Sequence, residues 1–518
     1  MGSSNRITRR RFLAGASATA ASVSVLGRTA TARAATAQAF EELIALSAVE
    51  AIAAMKRGDL KAEDYARTLL RRCEAGASLN AFITLRPEQV LEAAQALDRK
   101  WRAGKQLGAL HGLPIPVKDS INTRDLPTTA GSPALRNFQP EADAPVVRAL
   151  RRAGAIVLGK TNLHELSYGY SSANETFGAV RNPYDPTRIP GGSSGGTAAA
   201  IGYRMAPLGV AEDTEGSIRV PAALCGIAGF RPTTGRYSTA GCAPLTPRFD
   251  QIGPHARSVA DLALFDAVLT EDAAPLRAAA LKGARIGLVR PFFFQGLDAE
   301  VERVTAAALK ALRDAGVELV EGDLPDLAHF VELCTLPVIN HDVRPALTRY
   351  LSRYRTGITF GTLLAESTPA VRAVIESALT PGQAGYVPRA QYRQVIRRHL
   401  PAFRRMYRDY FRKARVAALV FPATILPAPR LGGEDMQVSV AGARLSLYQA
   451  FSRNIAPGST AGLPGLVLPA GLTRSGLPVA LEFDGPAGAD RALLSLGLAI
   501  ESVLGKPSAP LDLSRLVT

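Results

Sequence analysis

Apolar residues recur at helical spacing in Phe40–Arg57, Ala62–Ala75, Glu88–Ala103 and Pro145–Ala153, and again in Val301–Ala315 and Asp490–Leu504. Residues three and four apart share one helix face, so this pattern predicts amphipathic helices. Between them lie short apolar runs: Ile156-Val157-Leu158-Gly159, Leu208-Gly209-Val210, Ile286-Gly287-Leu288-Val289 and Leu466-Val467-Leu468-Pro469. Runs without polar alternation predict strands buried on both faces. The alternation of the two predicts an α/β domain whose sheet is covered by helices. No repeat at a solenoid period is evident, and no linker divides the later chain.

The first stretch reads as an address. Thr8-Arg9-Arg10-Arg11-Phe12-Leu13 precedes a mild apolar run to Leu26, and Ala32-Arg33-Ala34 offers a small-x-small cleavage site. The paired arginines, with an apolar region diluted by Ala, Ser and Gly, point to the twin-arginine route. The expectation is a signal over 1–34, a mature catalytic domain over 35–518, and a bacterial protein that is periplasmic or secreted. No other run reaches the roughly 20 residues of a membrane span. Ala417–Ala428 is apolar but interrupted by Pro422 and Pro427.

Composition narrows the classes. A chain of 518 residues with 47% hydrophobic and 20% charged residues is globular, not disordered. Cys73, Cys225, Cys242 and Cys334 form no C-x-x-C pair, and none of the six histidines has a partner at ligand spacing. No metal and no cofactor is expected. The net charge is +16, of which the six arginines of the signal supply +6. Arg389–Arg415 holds ten basic residues against Asp409, with Tyr392, Phe403, Tyr407, Tyr410 and Phe411 interleaved. That could attract an anionic surface. The simpler reading is a solvated helical face with aromatics packed inward, and no nucleic-acid partner is expected.

Three segments carry the chemistry. His111-Gly112-Leu113-Pro114-Ile115-Pro116-Val117-Lys118-Asp119 sets a lysine at the end of an apolar stretch, where desolvation favours a neutral amine. Pro190-Gly191-Gly192-Ser193-Ser194-Gly195-Gly196-Thr197 leads into an alanine-rich helix pattern. It reads as a phosphate loop, a nucleophile elbow or a plain glycine turn. The first lacks G-K-[ST], and the second lacks a strand before it. Asp213-Thr214-Glu215-Gly216-Ser217-Ile218-Arg219 sets a serine among backbone N–H groups suited to an oxyanion. A lysine and two serines can make a nucleophile and relay without histidine.

These three segments, in this order and with Ser193 and Ser217 24 residues apart, resemble the amidase signature family of serine amidohydrolases. The resemblance runs from about Ser47 to Gly505. It implies a single α/β/α domain around a large, twisted, mixed sheet. It implies Ser217 as nucleophile, Ser193 as bridging serine on a cis peptide, and Lys118 as base. It also implies backbone N–H groups of Thr214, Glu215, Gly216 and Ser217 as oxyanion donors, with Ser132 of Thr129-Ala130-Gly131-Ser132 as a substrate-side contact. Glu215 departs from the family, which has glycine there; Arg219 and Lys118 are its candidate partners.

Phe230-Arg231-Pro232, Arg453-Asn454 and Gly462-Leu463-Pro464-Gly465 are similar to members acting on indoleacetamide and mandelamide. The resemblance thus implies a small-molecule amide with a small or aromatic acyl group, with carbamates, anilides and esters as alternatives. A transfer-RNA amidotransferase subunit is disfavoured by the export signal. Two other readings remain: a Ser–His–acid hydrolase using Ser193, and a non-catalytic amide-binding protein disabled by Glu215. Monomer and homodimer both stay open.

Overall fold

The computed structural model describes residues 38–432, 436–506 and 510; the predicted signal lies outside them. The buried apolar runs form strands of one sheet. They are β1 (Phe82–Leu85), β2 (Pro114–Lys118), β3 (Ile156–Thr161), β4 (Leu208–Asp213), β5 (Ala228–Arg231) and β6 (Gln251–Ala256). Then follow β7 (Arg285–Leu288), β8 (Glu318–Glu321), β9 (Ala418–Pro422), β10 (Gly465–Leu472) and β11 (Pro478–Asp484). The spatial order of the 11 strands is β1-β3-β2-β4-β6-β5-β10-β11-β9-β7-β8. β3, β2 and β4 run parallel, as do β9, β7 and β8, while β4-β6-β5-β10-β11-β9 is antiparallel throughout. The expected mixed α/β sheet is therefore present.

Two registers place the chemistry. Val117 lies opposite Val210, so the parallel strands β2 and β4 end side by side with Lys118 and Glu212 in their last turns of chain. Asp213 lies opposite Gln251, which brings Asp250 to the end of β4.

The helices Ala62–Ala75 and Asp490–Leu504 have the predicted bounds, and Pro87–Arg102, Pro145–Arg152 and Ala299–Asp314 differ by one or two residues. The pattern Phe40–Arg57 divides instead into a helix over 38–45 and the helix Ala48–Arg57. The reason is local. Ser47 takes an extended conformation, its hydroxyl accepts the Glu50 N–H, and the Glu50 carboxylate accepts the Ser47 N–H. This reciprocal cap starts a new helix despite continuous apolar spacing.

The main core joins these helices to the sheet, from Ile44 through Leu158 and Val210 to Ile500. A second core lies under the long helix Leu327–Arg353 and takes in Phe403, Tyr407, Tyr410 and Phe411 of the helix Leu400–Ala414. The aromatics of the basic segment are thus packed inward, while Arg405, Arg408 and Arg412 are exposed. Among the described residues no helix is long and apolar enough to cross a membrane. The four cysteines are buried and free.

Candidate active site

The nucleophile loop is organised by one carboxylate. Asp213, the last residue of β4, accepts N–H groups of Gly216 at 2.8 Å and Ile218 at 3.0 Å. Burial alone would raise its pKa, but Arg219 and Arg231 hold it below the usual carboxylate range. Arg219 donates to Asp213 at 3.1 Å and also reaches Glu482 of β11 and the Ser459 hydroxyl. Arg231 donates to the Asp213 carbonyl at 2.6 Å. Two buried guanidinium groups therefore fasten the loop to the sheet. Gly216 has φ +126°, and a Cβ there would lie 2.8 Å from Ile455 Cγ2, so the turn requires glycine.

Ser217 emerges from this turn and lines a cavity of about 550 Å³. Leu336 and Ile339 of the helix Leu327–Arg353, Val374 of the helix Pro369–Leu379, and Tyr168, Tyr170 and Leu447 make its wall largely apolar.

Ser193 and Lys118 are both at 0% exposure. The Gly192–Ser193 peptide is cis. The loop around it is clamped: Ser172 donates to Gly191 O at 2.8 Å, Gly195 N–H donates to Ser172 Oγ at 3.1 Å, and His164 N–H donates to Ser193 O at 3.1 Å. The Ser194 N–H donates to Ser217 O at 3.3 Å and ties this loop to the nucleophile loop. Lys118 Nζ donates to Ser193 Oγ at 2.7 Å and to Glu212 Oε2 at 2.8 Å. Residues 181–194 contain no strand, so the elbow reading of Ser193 has no structural basis.

Two placements differ from the arrangement that the resemblance implies. The Gly216 N–H, expected toward an oxyanion, is directed to Asp213 because that bond closes the turn. The N–H groups of Glu215 and Ser217 have no protein acceptor among the described residues. Ser132 does not line the cavity. Its loop is tied behind β2, where Asp119 accepts the Thr129 N–H at 2.9 Å and the Asp119 carbonyl accepts the Ala130 N–H at 3.0 Å. The Ser132 hydroxyl is buried without a partner among the described residues.

Glu215 pairs with neither Arg219 nor Lys118. Its carbonyl accepts the Tyr170 hydroxyl at 2.9 Å, and its carboxyl accepts the Tyr448 hydroxyl at 2.7 Å. Burial pushes this carboxyl up to about 8 despite the tyrosine hydrogen bond. Glu215 is absent from the positive-φ residues, which explains how a side chain is accommodated beside Gly216.

Thr214 turns its hydroxyl to Glu212 at 3.0 Å and Asp250 at 2.6 Å. Glu212, Asp250 and Tyr448 were missed from sequence. Glu212 had one signal, an acid inside an otherwise apolar strand pattern. His164 lines the cavity and is lowered to about 4 by burial, with Lys118 adding to the effect. Among the described residues no group of three or more His, Cys, Asp or Glu could hold a metal.

A family model described as Amidase matches residues 64–494. The chain belongs to the amidase family. It is 37% identical over 465 residues to an indoleacetamide hydrolase of Agrobacterium vitis, covering 90% of this chain and 98% of that one. It is 36% identical over 486 residues to a mandelamide hydrolase of Pseudomonas putida, covering 91% and 94%. A solved amidase structure superimposes with a TM-score of 0.79 at 31% identity, over 89% of this chain and all of that one. The amidase fold accounts for the sheet order, and family membership makes the chain a hydrolase of amide C–N bonds.

Proposed function

We propose that this amidase is exported, and that it cleaves the carboxamide bond of a small or aromatic amide through an acyl-enzyme on Ser217. Three observations support the reading: Ser217 lines the apolar cavity, Lys118 and Ser193 share a 2.7 Å hydrogen bond, and the Ser194 N–H ties the Ser193 loop to Ser217 O. The relatives named for indoleacetamide and mandelamide favour a compact aromatic acyl group. The apolar wall suits one.

Ser217 Oγ attacks the carbonyl carbon. Its proton passes to Ser193 Oγ, and the Ser193 proton passes to Lys118 Nζ. The carbonyl oxygen gains charge beside the free N–H groups of Glu215 and Ser217; one such donor contributes about 100- to 1,000-fold in rate. The relay then returns a proton to the leaving nitrogen, and the C–N bond breaks. Water deacylates the ester by the same path. Positioned proton transfer adds about 100- to 10,000-fold. Carbamates, anilides and unhindered esters present the same carbonyl and are secondary substrates. The arginine-rich segment before Phe12-Leu13 supports twin-arginine export to the periplasm or beyond.

The test is intact mass after reaction with a phosphonofluoridate, with Ser217→Ala and Ser193→Ala in parallel. One adduct, mapped to Ser217 and missing in Ser217→Ala, is the expected result. An adduct on Ser193, or labelling that survives Ser217→Ala, would overturn the assignment.

A further inference from the structure

Lys118 has a second partner that the three-residue relay does not use. Glu212 Oε2 lies 2.8 Å from Lys118 Nζ, and both side chains are closed to solvent, at 1% and 0% exposure. The same carboxylate oxygen accepts the Ser167 hydroxyl at 3.1 Å. Nζ is thus shared between the Ser193 hydroxyl and a carboxyl oxygen, and a proton arriving from Ser193 can be matched by one passed on. The neighbouring acceptor in contact with Nζ is Glu212.

The surroundings show where a proton can reside. Thr214 Oγ1 contacts Glu212 Oε1 at 3.0 Å and Asp250 Oδ1 at 2.6 Å. A hydroxyl has one hydrogen to donate. Two carboxylate contacts are both satisfied only when one carboxyl is protonated and donates back to the hydroxyl oxygen. Asp250 also accepts N–H groups of Leu245 and Thr246, each at 3.1 Å. Burial, with the Glu212 charge added, raises the Asp250 carboxyl to about 8. One proton is therefore held within the Glu212–Thr214–Asp250 chain, whose other end, Glu212 Oε2, is in contact with Lys118 Nζ.

We propose that the base of the relay is the Lys118–Glu212 pair, with Glu212 taking the proton that Lys118 must release. This rests on the Ser217–Ser193–Lys118 reading above. As Ser217 Oγ bonds to the carbonyl carbon, the Ser217 hydrogen moves to Ser193 Oγ and the Ser193 hydrogen moves to Lys118 Nζ. One Lys118 hydrogen moves to Glu212 Oε2. As the C–N bond breaks, the leaving nitrogen takes a hydrogen from Ser193. Lys118 refills Ser193, and Glu212 returns its proton to Lys118. No proton is gained or lost over acylation. Glu212 acts through Lys118 and touches no reacting atom, so it is a positioning and proton-accepting residue.

The groups that bear on this pair are Asp250 and Cys242 beside Glu212, and His164 and His255 beside Lys118. Arg231 acts on Asp250. Both histidines are lowered to about 4 by burial and stay neutral across the working range.

The test is steady-state kinetics of the full chain on phenylacetamide from pH 5 to 10, for wild type, Glu212→Gln and Glu212→Asp, with Ser217→Ala and Lys118→Ala as controls. Glutamine keeps an acceptor for Lys118 but cannot take its proton. Glu212→Gln is expected to lower kcat by about 100-fold or more, with KM within about threefold and a displaced pH profile. Glu212→Asp keeps a carboxylate and is expected to retain at least ten times the kcat of Glu212→Gln. A Glu212→Gln enzyme as fast as wild type, or faster, would show that lysine alone is the base and would overturn the proposal. So would equal loss in the Gln and Asp variants. Should Glu212→Gln not fold, the pH profile of Glu212→Asp decides: a displaced profile supports the pair, and an undisplaced one overturns it. Activity surviving in Ser217→Ala would instead sink the underlying nucleophile assignment. Inactive controls beside a wild-type Glu212→Gln would sink only this inference.

Discussion

The Glu215 carboxyl and the Tyr448 hydroxyl, 233 residues apart in the chain, meet at 2.7 Å in the wall of the cavity that Ser217 faces. The tyrosine hydroxyl donates to the carboxyl and holds it in that wall. Burial keeps it protonated, at about 8, through neutral pH. A neutral acid does not oppose the charge that develops on the carbonyl oxygen; a carboxylate does.

Activity is therefore expected to fall as pH rises through about 8, when Glu215 loses its proton. Glu215→Gln keeps the shape and the acceptor for Tyr448 without the charge. It should match wild type near pH 7 and exceed it several-fold at pH 9. A kcat/KM profile for both enzymes over pH 6 to 10 checks this; parallel profiles would count against it.

Stability should follow the same group with a definite sign. The folded pKa is about 8 against an ordinary 4.5, so the native state binds more protons than the unfolded chain between these values. Stability from this residue is then highest below about 4.5 and is lost as pH rises toward 8. The shift corresponds to at most about 5 kcal/mol. Urea midpoints at pH 6 and pH 9 should fall further in wild type than in Glu215→Gln. Comparing the two removes the contribution of Asp250, which has the same sign.

Arg219 binds Asp213 and Glu482, and all three are buried. Arg219→Met leaves Glu482 without its cation and Asp213 with Arg231 alone, a change of about 3–5 kcal/mol for a broken buried pair. The expected result is a large drop in the urea midpoint together with loss of Ser217 labelling, since Asp213 shapes the turn. Arg219→Lys keeps the charge but loses the planar fork and should fall between.

The proposed export can be tested at the arginines near the start of the chain. Replacing Arg9, Arg10 and Arg11 together by lysine keeps the charge and removes the guanidinium pair. The substituted precursor should accumulate in the cytoplasm of a producing bacterium while wild type is found cut in the periplasm, as fractionation and immunoblotting will show. Equal export of both would refute the twin-arginine assignment.

The sequence by itself determined what depends on neighbours along the chain. Helical spacing located Ala62–Ala75 and Asp490–Leu504 because one turn of helix reads only three to four residues ahead. Three short motifs located Lys118, Ser193 and Ser217, because each loop is built from its own glycines and prolines. Even there a local cap at Ser47 outweighed the apolar pattern of Phe40–Arg57. Only the tertiary structure decided which acid faces Lys118. Glu212 stands 94 residues away and reaches Nζ because β2 and β4 are adjacent parallel strands that end together. It likewise chose Tyr448 for Glu215, and committed the Gly216 N–H to Asp213. Burial then set the charge of each group, since desolvation in a low-dielectric interior depends on what the whole fold packs around it.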